Sequence, residues 1–99
     1  MNSIQLLAQI VDKYSSDEYI KEEDLLDMQR TLVGIQFELT EINIQAFNDF
    51  NRVCYQFEGS NAAAQVTAHE RHPELRQTRK LLEVVKSTQI AIQNELKRD

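Results

Sequence analysis

The sequence predicts an all-α fold: an elongated antiparallel helical hairpin preceded by a short N-terminal helix. Three observations lead there. Two glycines and one proline in 99 residues leave few turn signals, which argues against a sheet protein. The stretch 21–58 holds no proline, and its apolar residues recur at three- and four-residue steps. Gly59-Ser60-Asn61 then punctuates the chain, separating two spans, 21–58 and 61–98, of 38 residues each. A loop that short turns the second span back along the first.

The N-terminal helix is expected within residues 1–14, capped by Asn2 or Ser3. Ile4, Leu7, Ile10, Val11 and Tyr14 make its apolar side. Ser15-Ser16-Asp17 ends it, and Ser15 with Glu18 has the spacing of a capping box for the next helix. The carboxylates Asp17, Glu18, Glu22, Glu23 and Asp24 come next. Their plain reading is a helix start, where the backbone dipole favours negative charge. The functional reading is an acidic surface that meets a basic partner or mimics phosphates.

The central helix, 21–58, organises the chain. At about 100° per residue, Leu25, Met28, Leu32, Ile35, Leu39, Ile42, Ala46, Phe50, Val53 and Phe57 form one apolar stripe. A second stripe, about 120° away on the same wheel, carries Leu26, Val33, Phe37, Ile44 and Tyr55. Between them lie Gln29, Gln36, Thr40, Asn43 and Phe47, all uncharged. Asp27, Arg30, Glu38, Glu41, Asp49 and Arg52 share the remaining arc. An ordinary surface helix has one apolar face. This one calls for partners on two sides.

Length sharpens that conclusion. A helix of this span extends about 57 Å, against a radius of gyration near 13 Å for a compact domain of this size. Either the helix breaks, for which Gly34 is the candidate, or the protein is elongated and self-associates. The second stripe favours association, because the short first helix covers only its near end.

In the second span, Ala62-Ala63-Ala64 opens a helix over 61–71, and His72-Pro73 breaks or kinks it. Pro73 suits a first helical position, so the last helix is placed at 73–98. Leu75, Leu82, Val85, Ile92 and Leu96 make its inner face, widened by Leu81, Val84 and Ala91. The whole chain reads as one helical domain.

Composition bounds function. The net charge of −5 is uneven: residues 1–50 hold three Lys/Arg against ten Asp/Glu (−7), and residues 51–99 hold eight against six (+2). The lone Cys54 excludes an internal disulfide and fits a reducing compartment. No run has the length of a membrane span, and Met-Asn-Ser-Ile-Gln-Leu-Leu lacks the basic region of a signal peptide. The cytoplasm is the expected location, with no membrane partner.

Catalysis is not expected. The sequence holds no phosphate loop, no nucleophile elbow and no isolated carboxylate pair, and a thin hairpin offers no deep pocket. His69 and His72 stand three apart, but two ligands make a poor metal site. They read instead as solvent-exposed capping residues. Cys54 reads as a small buried hydrophobe. No cofactor or metal is implied. Arg71, Arg76, Arg79 and Lys80 form the basic concentration, a solvated outer face or a set of phosphate contacts. No aromatic residue interleaves them, so stacking on single-stranded bases is not supported.

One resemblance can be stated. Glu41, Ala46, Phe50 and Tyr55 followed by Glu58-Gly59-Ser60-Asn61, then alanines, Pro73-Glu74-Leu75-Arg76 and Leu81-Leu82, resemble small all-helical proteins of bacteriophage early regions. These are often encoded near recombination or anti-defence genes. The resemblance covers residues 38–98 and carries no catalytic motif. It implies a phage or prophage origin, a host-cytoplasmic location if phage-encoded, and a binding role. Two functions are then expected. The first is a protein–protein interaction module that inhibits or scaffolds a host protein such as a defence nuclease. Its partner-binding residues would be Leu26, Val33, Phe37, Ile44 and Phe47, with Glu22, Glu23 and Asp27 meeting a basic surface; the chain would also pair with itself. The second is a nucleic-acid-binding accessory of recombination or replication acting through Arg71, Arg76, Arg79 and Lys80.

Overall fold

In a computed structural model describing residues 2–16 and 18–97, the chain is all-helical. Its four helices are, in order, α1 (Ser3–Ser15), α2 (Glu22–Gln56), α3 (Asn61–Arg71) and α4 (Glu74–Leu96). The molecule measures 58 × 22 × 19 Å, with a Cα radius of gyration of 17.4 Å. Its long axis is close to the length of α2, whose 35 residues span about 52 Å at 1.5 Å each.

Each helix end has a local cause. The Asn2 side chain accepts the amide of Gln5 at 2.9 Å and starts α1. The Ser15–Glu18 capping box does not form, because Ser15 is itself the last residue of α1. The next helix begins only at Glu22, after a segment in which Ile20 is buried. Lys21, the residue before it, supplies no side-chain cap. Glu22, Glu23 and Asp24 in the first turn answer the dipole instead. Asp17, counted with these carboxylates in the sequence, lies outside the described residues.

Helix α2 runs unbroken through Gly34, where an added Cβ would meet nothing within 4 Å. Gly34→Ala should therefore raise stability by about 0.5–1 kcal/mol, since glycine inside a helix costs that much in conformational freedom. Thermal melting checks it; an unchanged or lower midpoint would mean that the helix is not regular there.

Ser60 caps α3 by accepting the amide of Ala63 at 3.2 Å. Alanines 64 and 68 are buried, so α3 approaches α2 on small side chains. His72 takes φ −128° and ψ 68°, as a residue before proline must when the helical region is closed to it. Pro73 then precedes the first helical residue of α4, Glu74, which moves that start one residue later than its sequence reading.

Helix α2 contacts all three others, and α1 also touches α4. The core joins Leu7 and Ile10 of α1, Leu25, Met28, Leu32, Ile35 and Leu39 of α2, and Val85 and Ile92 of α4, with Ile20 beneath the connection. Thus the first apolar stripe is buried along its N-terminal two-thirds, and Phe50, Val53 and Phe57 beyond it are half-buried. Three residues given inner positions by periodicity face outward. Ile4 and Ile42 line a cleft with Ser3 and Glu38 that stays open to solvent where α1 begins, and Val84 lies at the edge of α4.

The amides Gln29, Gln36 and Asn43, seven residues apart, set how α2 meets α4. Gln29 Nε2 donates to the Gln89 carbonyl at 2.9 Å, and Gln89 Nε2 donates to Gln36 Oε1 at 3.1 Å. Asn43 Nδ2 donates to Thr78 Oγ1 at 2.8 Å and to the Leu75 carbonyl at 3.2 Å. The buried Thr78 hydroxyl donates its own proton to the Glu74 carbonyl at 2.7 Å. Early α2 therefore meets late α4, the middle of α2 meets early α4, and Phe50 meets His69 of α3.

Candidate interaction surface

The amide row separates two environments on α2. On one side lies the core. On the other, the second apolar stripe stands in solvent: Leu26 is 41% exposed, Val33 60%, Phe37 68%, Ile44 57% and Phe47 44%. Tyr55 at its far end is also exposed. Fully burying one such side chain is worth about 1.5–3 kcal/mol. With roughly half of each still exposed, the stripe keeps several kcal/mol of unused burial. Single exposed apolar residues are ordinary, but several along one helix face make it a candidate interaction surface.

The row has a regular spacing. Leu26, Arg30, Val33, Phe37, Thr40, Ile44 and Phe47 succeed one another at alternating steps of four and three, the spacing of a helix–helix seam. Val33, Gln36, Phe37 and Thr40 surround a shallow hollow at its centre. Helix α1 lies elsewhere: the Ser3 hydroxyl donates to the Glu38 carboxylate, outside the stripe.

The acidic residues sit at the N-terminal end of this face. Glu22, Glu23 and Asp27 are exposed. Asp27 faces Arg30 at 3.6 Å in a solvated pair, and Asp24 is reached by Lys13 of α1 at 3.9 Å. Lys13 partly neutralises Asp24 because α1 lies beside the start of α2. Exposed pairs of this kind contribute about 0–1 kcal/mol.

The basic residues Arg71, Arg76, Arg79 and Lys80 are all exposed, around the junction of α3 and α4. Arg76 and Arg79 both stand near His69. The Arg79 guanidinium lies over the Phe47 ring at 5.9 Å, a cation–π contact that ties it to the apolar stripe. Arg76 borders a hollow shared with Ala62, Val66, His69 and Glu70, so a carboxylate stands among the cations.

His69 corrects its sequence reading. It is half-buried rather than a solvent-exposed cap, because its ring packs on Phe50, with centroids 4.6 Å apart. Burial, then the charges of Arg76 and Arg79, hold its pKa below the usual histidine value. His72 does cap α3 and meets Glu74 Oε1 at 3.2 Å. The two rings thus have separate partners. Among the described residues no three His, Cys, Asp or Glu side chains come together as a metal site. Cys54 is half-buried, not fully enclosed, since it borders the exposed stripe. No helix of the described residues is long and apolar enough to cross a membrane. The amide row and Thr78 were not identified as structural links from sequence, although the seven-residue spacing of Gln29, Gln36 and Asn43 was its visible signal.

Comparison with known proteins finds no matching family model, no matching curated protein and no matching solved structure.

Proposed function

We propose that this chain is a non-enzymatic protein–protein interaction module, built as an antiparallel helical hairpin kinked at Pro73, whose working surface is the open face of α2. The observation that carries this is the row of Leu26, Val33, Phe37, Ile44 and Phe47, exposed on a helix whose other side is already packed. An inhibitory or scaffolding role toward a host protein, such as a defence nuclease, rests on the phage resemblance of residues 38–98 alone. The basic residues support the nucleic-acid reading less, since Arg79 is engaged by Phe47 and Glu70 adjoins Arg76.

The test is affinity capture from a cell lysate with the wild-type chain and with Phe37→Glu, beside a gel shift at low and moderate salt. Phe37→Glu should lose the captured protein while keeping its helical circular dichroism. Identical capture by both chains would remove the stripe as the working surface. A salt-sensitive gel shift abolished by Arg76→Ala and Arg79→Ala would replace this reading with nucleic-acid binding.

A further inference from the structure

We propose that the open face of α2 is occupied by a second copy of the chain, packed antiparallel about a two-fold axis between Phe37 and Thr40. This rests on reading that face as an interface, and it names the partner. Two independent features of the face support it: its spacing and its charge.

The spacing is self-complementary. Two α2 helices running in opposite directions, with Phe37 level with Thr40 of the second copy, bring Val33 level with Ile44 and Arg30 level with Phe47. Each layer then sets a large side chain against a smaller one or a cation against a ring. The steps of four and three along the row let these side chains interdigitate as in a coiled-coil seam. The two-fold relation closes the contact on itself, so the assembly stops at two chains.

The charge fixes the direction. Glu23 and Asp27 lie on one flank of the stripe near its start, and Arg52 lies on the same flank near its end. In the antiparallel register, Arg52 of each chain falls within about two residues, or 3 Å along the axis, of the level of Glu23 and Asp27 of the other. Glu23, which makes no ion pair among the described residues, thereby finds a cation, and Asp27 gains a second beside Arg30. The broader field agrees, because the exposed Arg76 and Arg79 stand toward the same end as Arg52. A parallel two-fold pair would instead put these flanks on opposite sides of the seam, with Arg52 level with neither Glu23 nor Asp27 of the other copy. Nor do the chain's other described helices cover the face, since the stripe remains exposed with α1, α3 and α4 in place.

Sedimentation over a range of micromolar concentrations, with disulfide trapping, tests the pairing. The wild-type chain should sediment as a dimer, and Phe37→Glu should weaken it at least a hundredfold. In a Cys54→Ser background, Val33→Cys and Ile44→Cys should each stay unlinked alone and form a mixed disulfide when combined. Antiparallel packing holds the two copies of residue 33 about 16 Å apart along the axis, too far for a disulfide.

Charge reversal gives a second arm. Glu23→Lys with Asp27→Lys should weaken self-association about tenfold at low salt, and Arg52→Glu likewise. Mixing those two variants should restore a dimer, because each reversed end then meets its complement. A chain that stays monomeric, or Val33→Cys linking to itself, overturns the proposal. If the wild type is monomeric yet Phe37→Glu still loses a captured protein, the pairing falls and the interaction reading stands. If Phe37→Glu alters neither, both fall.

Discussion

Leu32→Ala should destabilise the protein by about 2.7–5 kcal/mol, the range for removing a buried leucine where the surroundings cannot collapse. Leu32 has no solvent exposure and belongs to the cluster formed by α1, α2 and α4. Side chains from three helices surround it, so no single helix can move to fill the gap. Each kcal/mol corresponds to about 4–8 °C in a domain of this size, so the melting midpoint should fall by roughly 10 °C or more. Protein concentration should be held fixed, because any association would make the midpoint concentration-dependent. A loss below about 1 kcal/mol, far under the usual cost of such a truncation, would mean that the three helices pack loosely around this side chain.

Gly59→Val should also be strongly destabilising. Gly59 has φ +147°, and a Cβ there would meet Phe57 Cε1 at 2.9 Å. Valine adds a β-branched side chain to a backbone conformation that L residues rarely adopt, at a cost of about 1–3 kcal/mol. Phe57, the half-buried residue that caps the end of α2, must also move. The urea midpoint should fall with little change in slope. A wild-type midpoint for Gly59→Val would mean that the turn does not use this conformation. The glycine lies two residues past Phe57, the end cap of α2, in the positive-φ region.

Helix positions were largely legible because they derive from period and punctuation, both local. Asn2, Ser60 and Pro73 mark ends without reference to the rest of the chain. The core was legible where the apolar stripe is continuous, as at Leu25, Met28, Leu32, Ile35 and Leu39. It was less so at Ile4, Ile42 and Val84, whose burial depends on where a neighbouring helix stops. The links made by Gln29, Asn43 and Thr78 depend on register between helices, which no local pattern contains. Similarly, Lys13 reaches Asp24 only because α1 folds back beside α2. The open stripe could be read from the sequence because it is a property of one helix.

The cross-helix links also imply an order of closure. Phe50 and His69 are 19 residues apart in the chain, Asn43 and Leu75 are 32 apart, and Gln29 and the Gln89 carbonyl 60 apart. Closing the largest of these loops costs only about 1 kcal/mol more than closing the smallest, since the entropy grows with the logarithm of length. The near end, however, is held by Ala64 and Ala68, whereas the far end holds the leucine-rich cluster. Closure that starts at this end would leave the strongest contacts to form after the barrier. Leu32→Ala should accordingly act on the rate of unfolding more than on the rate of folding.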